Sequence, residues 1–366
     1  MSKWVLAFLV AVLTSCGSNT ERQYHIPSKP EITEVAFSTA TLQKLEHHFD
    51  SLSGNGRFNA VWLFAHGDSI FQGATGYRKL RTKDSLRPDD KFQLASVSKP
   101  ITALGVLLLA DRGLVDLDAP VQQYLLDFPD ERITISQMLS HSSGMGNYMY
   151  VTDSIWNNPD SFMTNDEMYC MLAEGHVPAY YEPGQQFDYC NTNFAVLPVL
   201  IEAVSGQPFK EFMQSQIFVP LGMEQCEFLN PEEHPSDEFD VIGHYPSGKP
   251  KLPFYLDGIV GDKSLYCSAN DLFQLFKELK EPTLWSDSII REAFQPNVYS
   301  GKGMYYGLGW RINPTSDGDT IVYHNGWWRG FKTYFWLNRK QEKVAIILSN
   351  STSGGFLNQE KVWSLY

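Results

Sequence analysis

Positive charge is scarce in this sequence. Its 366 residues hold 29 Lys and Arg against 42 Asp and Glu, a formal net charge of -13, and the basic residues nowhere form a run. Phosphate backbones are bound by neutralising them with Lys and Arg, so the balance speaks against a nucleic-acid partner and mainly favours solubility. Cysteine is also sparse. The five residues Cys16, Cys170, Cys190, Cys226 and Cys267 follow neither a metal-ligand spacing nor a compact disulfide framework. His47, His48, His66, His141, His176, His234 and His244 show no metal spacing, and no glycine loop of the phosphate-cradling kind is present. No metal and no cofactor is therefore expected. Past the first residues there is no apolar run long enough for a membrane-spanning helix, and there is no internal repeat. The oligomeric state is not legible.

What is present begins at the N-terminus. Met1-Ser2-Lys3 is a short positive start, Trp4–Leu13 is a ten-residue apolar run, and Leu13-Thr14-Ser15-Cys16-Gly17 follows. The run is too short to span a bilayer but suits a signal h-region. Small residues ahead of a cysteine at this distance resemble the lipobox of bacterial lipoproteins, against the rival of an ordinary cleaved signal with a chance cysteine. The resemblance implies a signal peptide over 1–15 and acylation of Cys16. It further implies a membrane partner through that lipid and residence in the bacterial cell envelope, periplasmic or surface-exposed. Residues 16–38, polar with Pro27 and Pro30, read as a tether to a domain over 39–366.

Leu42, Leu45, Phe49 and Leu52 fall at helical spacing, predicting a helix over about 40–52. Asn59–Ala65 and Ser69–Thr75 flank His66-Gly67-Asp68 as a hairpin. Ile101–Ala110 is a long apolar stretch closed by Gly113. The middle, about 118–255, is mostly helical, with patterns at Ala195–Val204 and Lys210–Ile217. Thr320–His324, Phe331–Leu337 and Val344–Leu348 return to strand composition. Strands at both ends around a helical insertion predict an α+β fold with one antiparallel sheet drawn from both chain ends. Aromatic content of 14% fills a core and also lines clefts for organic ligands. Cys190 and Cys267 fall in segments read as buried and are expected to be free thiols. A Cys170–Cys226 bridge stays open.

Ser96-Val97-Ser98-Lys99-Pro100 carries the chemistry. Pro100 is tolerated in a first helical turn, so the helix reaching Ala110 starts near Ser96. Residues three apart share a face, which sets the Ser96 hydroxyl beside the Lys99 amine. A serine needs an adjacent base to become nucleophilic, and burial with nearby positive charge can make a lysine that base. The spacing alone also fits an N-capping serine and a surface lysine.

Order and context go further. Phe92–Pro100 resembles the nucleophile region of the serine beta-lactamase-like family, which includes class C beta-lactamases, D-alanyl-D-alanine carboxypeptidases and related esterases. Gly113–Pro120, Ile135–Gly144, Pro183–Asn191, Pro220–Met223 and Tyr306–Trp310 match its later segments in order, and His324-Asn325-Gly326 stands at its third motif, often Lys-Thr-Gly. The resemblance covers about 40–350 and implies a beta-lactamase/transpeptidase-like fold with a five-stranded type of sheet. It implies a Ser96 acyl-enzyme, with Lys99 or a Tyr189 phenolate as base and Tyr189 protonating the leaving group. Asn191 is expected on the Lys99 amine or a substrate amide, and His324, charged only partly near neutral pH, would when protonated supplement Lys99 beside a Tyr189 phenolate. The oxyanion donors implied are the backbone amides of Ser96 and Trp327, with Gly326 letting substrate approach the strand. Tyr-x-Asn occurs twice, at Tyr189–Asn191 and Tyr323–Asn325. The first is chosen because alternation lets only one of Tyr323 and His324 face the cleft. His141 reads as structural, at a helix start.

These residues point to a hydrolase acting on a small ester, amide or peptide. The alternatives are a beta-lactamase or D-alanyl-D-alanine carboxypeptidase, and a non-catalytic penicillin-binding-like receptor. His324 in place of a permanent cation weighs against carboxylate recognition, whereas joint retention of Ser96, Lys99, Tyr189 and Asn191 weighs against a receptor.

Overall fold

The computed structural model describes residues 37–53, 58–156, 158, 161–229, 241–316, 318–352 and 357–366. The expected signal peptide, Cys16 and nearly all of the tether lie outside them. Within the described residues no helix is long and apolar enough to cross a membrane.

Eight strands form one antiparallel sheet: β1 (Ala60–His66), β2 (Ser69–Thr75), β3 (Val298–Gly301), β4 (Met304–Tyr306), β5 (Arg311–Pro314), β6 (Thr320–Trp328), β7 (Phe331–Asn338) and β8 (Lys343–Ser349). Their order across the sheet is β2-β1-β8-β7-β6-β5-β4-β3. The N-terminal hairpin and the last strand pair near one edge, with Leu63 opposite Ile346 and Trp62 opposite Ile347. The fold is thus the expected α+β arrangement, widened from five strands to eight. The additional strands β3, β4 and β5 are three or four residues long and carry Ser, Gly, Asn and Pro. Segments so short and polar show no period-2 signal.

Alternation splits the sheet residues between two apolar clusters. Trp62, Phe64, Tyr334, Trp336 and Ile347 pack outward against Leu45 and Phe49 of α1 (Thr39–Ser53) and Val362 near the C-terminus. Val61, Leu63, Phe335, Leu337 and Ile346 pack inward against the larger helical core. At its centre lies α2 (Ser98–Asp111), buried almost all round. Against it runs α3 (Asn191–Ser205). Gly105 of α2 admits this packing, since a Cβ there would lie 2.9 Å from Met213 Sδ and 3.1 Å from Ile201 Cδ1. Helices continue past the expected limit of 255, through Ala269–Lys280 and Asp287–Ala293, before strands resume.

One thiol expectation is overturned. Cys267 is not free but bridged to Cys226. A small sheet pairs Leu265–Cys267 with both Phe92–Gln93 and Glu227–Phe228, which brings the two cysteine Cα atoms to 4.3 Å. Cys190 is a buried free thiol, as expected, and Cys170 is free and exposed.

Candidate active site

The turn that carries Ser96 is fixed from two sides. A 3-10 turn, Ala95–Val97, leads directly into α2. Leu94 N–H donates to Leu265 O at 2.8 Å, and the Thr333 hydroxyl of β7 donates to Leu94 O at 2.5 Å. Ala95 takes φ +51°, a conformation that L-residues adopt only when the surroundings impose it, and such strain gathers at functional sites. Gly326 of β6 lies against this turn. A Cβ on it would fall 2.2 Å from Thr333 Oγ1, 2.3 Å from Leu94 O and 3.0 Å from Ala95 Cβ. The glycine is therefore required by the turn itself, in addition to any approach by substrate.

Lys99 is fully buried, and its Nζ donates to Ser96 Oγ at 3.2 Å and to Asp262 O at 2.8 Å. The Nζ also stands 5.1 Å from the Tyr189 ring centre and 5.9 Å from that of Phe194. The helical spacing thus brings Ser96 and Lys99 together, and Tyr189, in the segment just before α3, joins them through Lys99. The Tyr189 ring rests on His141, centres 4.3 Å apart. His141 sits past the end of the helix Ile135–Leu139 rather than at a helix start, and its Nδ1 accepts from Cys190 N–H at 3.1 Å. Burial first, then the charges of Lys99 and Arg311, hold its pKa well below the usual imidazole value.

Asn191 lines the site, but its amide donates to Met149 Sδ at 3.0 Å. The second acceptor of the Lys99 amine is the Asp262 carbonyl. Trp327 stands at the rim, 60% exposed.

His324 falls short of the partial charge expected of it. It is 1% exposed, packs 6.2 Å from Tyr189 ring to ring, and donates from Nδ1 to Asn325 O at 2.8 Å. Its Nε2 then accepts from the Tyr306 hydroxyl at 3.0 Å. Burial, then Arg311 and Lys99, push its pKa well below the normal value, so the imidazole is neutral. Alternation does send His324 inward and Tyr323 to the outer cluster, yet Tyr323 lines the cavity and His324 does not.

A permanent cation does stand beside Tyr189, namely Arg311 on β5. Its guanidinium lies 5.1 Å from the Tyr189 ring centre and 5.7 Å from that of Tyr306. Among the described residues no carboxylate pairs with it, and it lines the cavity. A lone Arg in a four-residue strand carries no sequence signal; only its register opposite Tyr323 brings it to the site.

A second missed group is Tyr148, Asp262 and Lys263, all buried. Lys263 Nζ donates to Tyr148 OH at 2.7 Å and to Asp262 Oδ1 at 3.2 Å, and Tyr148 OH donates to Asp262 Oδ2 at 3.1 Å. Positive φ at Gly261 and Ser264 brackets the pair, the one sequence hint being a glycine before two charges. These groups surround a cavity of about 690 Å³ that reaches from Ser96 to Met149, Phe254, Leu256 and Trp328.

The chain matches the Beta-lactamase family over residues 46–363. It is 30% identical over 325 residues to Penicillin-binding protein 4* of Bacillus subtilis, covering 84% of this chain and 71% of the relative. It is 26% identical to the D-aminopeptidase of Brucella anthropi over 87% of this chain and 60% of that protein's length. The crystal structure of a penicillin binding protein from Bacillus halodurans superposes with a TM-score of 0.77 at 21% identity, covering 90% of this chain and all of the other.

Proposed function

The chain belongs to the Beta-lactamase family, and from that premise we propose that it is a serine acyl hydrolase for small D-configured peptides or amides that keep a free carboxylate on the leaving side. The 3.2 Å contact between the buried Lys99 amine and the hydroxyl of Ser96, which faces the cavity, carries this reading. Ser96 Oγ attacks the scissile carbonyl while Lys99 or the Tyr189 phenolate takes its proton. The backbone amides of Ser96 and Trp327 receive the oxyanion. Tyr189 protonates the departing nitrogen, the C–N bond breaks, and a water then releases the acid from the acyl-enzyme. Arg311 lies over Tyr189, the acid for the leaving group, so a carboxylate on that group has a permanent cation to meet. This offsets the neutrality of His324 and moves the reading from a general esterase toward a carboxypeptidase. The D-configuration rests on the relative named a D-aminopeptidase.

The test compares N-acetyl-D-alanyl-D-alanine with its C-terminal amide. Wild type prefers the free acid, and Arg311→Gln loses that preference by about 10-fold or more, the worth of one charge-assisted hydrogen bond. Equal use of acid and amide by wild type contradicts it. A chromogenic cephalosporin serves as the beta-lactamase arm, and turnover far above that of the dipeptide would favour that alternative. We further propose that Cys16 carries the lipid, supported by the start and apolar run ahead of it. Palmitate labelling in a bacterial host should vanish in Cys16→Ser, and labelling that persists would refute the anchor.

A further inference from the structure

Strand β6 works as a ruler along the cavity. Arg311 lies in register opposite Tyr323. Gly326 faces the turn that holds Ser96. The Lys263 ammonium stands 5.4 Å from the Trp328 ring centre. At about 3.3 Å per strand residue, the β6 backbone runs about 10 Å from Tyr323, the register partner of Arg311, to Gly326 and about 7 Å on to Trp328, whose ring faces Lys263, so the two cations lie on opposite sides of the nucleophile's turn along the strand. A substrate lying along β6 with its scissile carbonyl at Ser96 and its leaving group toward Arg311 therefore extends its acyl half toward Lys263.

Lys263 is only 3% exposed yet lines the cavity. An ammonium has three N–H donors. Two are used, by Tyr148 OH and Asp262 Oδ1; beyond the Trp328 and Tyr148 ring faces, each 5.4 Å away, no oxygen or nitrogen among the described residues accepts the third. A buried donor without a partner is costly, so an acceptor arriving there is bound strongly. We infer that Lys263 is an acyl-side subsite that takes a neutral carbonyl oxygen, as on an N-acylated amino group, at the position next to the scissile carbonyl. The surroundings select a neutral acceptor. Asp262 already balances the Lys263 charge, and Asp257, which accepts from Trp328 Nε1, and Asp153, which accepts from Tyr255 OH, add negative charge at the same end. An anionic acyl group meets those carboxylates, and a free ammonium meets Lys263 itself. The inference rests on the proposed Ser96 acyl-enzyme and not on the leaving-group carboxylate.

The test uses activated esters with one leaving group, so Arg311 is not involved. p-Nitrophenyl N-acetyl-D-alaninate carries the acetamido carbonyl, p-nitrophenyl isobutyrate has a methyl in its place, and p-nitrophenyl D-alaninate has a free amine. The ratio of kcat/KM for the first two is read in wild type, in Lys263→Met, and in Lys263→Met with Asp262→Asn, which leaves no buried carboxylate unpaired. Intrinsic ester reactivity cancels in this comparison. The acetamido preference should fall about 10-fold or more in both variants, and the free-amine ester should be the poor substrate in wild type. A ratio that stays within about twofold in the variants, whatever the absolute rates, overturns the subsite, as does wild-type preference for the free amine. Turnover by wild type that is lost in Ser96→Ala, combined with an unchanged ratio, sinks the Lys263 subsite alone. No turnover of any ester by wild type sinks the hydrolase reading and the subsite with it.

Discussion

Replacing Gly326 by alanine separates a strand built around its nucleophile from one that merely passes by. The added methyl carbon has no room. It would lie 2.3 Å from the Leu94 carbonyl oxygen, which is backbone, and 3.0 Å from Ala95 Cβ, as well as 2.2 Å from Thr333 Oγ1. Trimming Thr333 relieves only the last contact, so β6 and the Ser96 turn must part. Overpacking of this kind costs about 1–3 kcal/mol of stability. The larger effect is on rate, because a displacement of about 1 Å between reacting groups costs about 100-fold. Gly303→Ala is the control. Gly303 takes φ +77° with nothing within 4 Å of a Cβ, and it lies in the turn between β3 and β4. It should lose about 1 kcal/mol through backbone strain alone and keep full activity. The assay is kcat/KM on p-nitrophenyl butyrate together with urea unfolding. Gly326→Ala should fall about 100-fold or more in rate while still folding. A Gly326→Ala enzyme with rates within a few-fold of wild type would refute the reasoning.

Two further outcomes follow from the packing. The Cys226–Cys267 bridge spans 41 residues, so on the chain-entropy account its removal by paired Cys→Ser substitution lowers unfolding free energy by about 4 kcal/mol; urea midpoints unchanged by the substitution or by reductant would contradict the bridge. His141 and His324 both have pKa values held well below normal by burial. Below about pH 6.5 the unfolded chain binds protons that the native state refuses, so stability is full above that pH and declines as pH falls, by up to about 1.4 kcal/mol per unit for each histidine. Urea titrations at pH 7.5 and 5.5 check this, and a stability that is flat or rises toward pH 5.5 would contradict two buried neutral imidazoles.

Local signals and long-range ones parted company in this chain. α1 was legible from its helical spacing, and the hairpin of β1 and β2 and strands β6 to β8 from β-branched and aromatic composition between turn residues, although β6 runs on to Trp328, past the Thr320–His324 that composition marks. Ser96 and Lys99 were legible because a helical turn fixes their spacing and Pro100 marks where the helix starts. Cys267 was misread because its partner is defined by the pairing of its strand with Glu227–Phe228, 37 or more residues away. Arg311 had no signature, since its place over Tyr189 depends on the register of β5 against β6. The partial charge expected of His324 is further reduced for a related reason. Strand alternation gives its direction, but only the packed cluster of Tyr306, Tyr189, Lys99 and Arg311 shows that a proton has no favourable place there. Lys263 drew no reading from the sequence, because only the fold buries it beside Asp262.

The central claim is that Ser96 forms a covalent acyl-enzyme with the help of Lys99. Intact-protein mass spectrometry after rapid acid quench of p-nitrophenyl butyrate turnover reads it directly. Wild type should gain one butyryl group, mapped by peptide digestion to Ser96, while Ser96→Ala gains none and Lys99→Met gains it far more slowly. A butyryl adduct on another residue, or equal labelling of Ser96→Ala and wild type, would contradict the account.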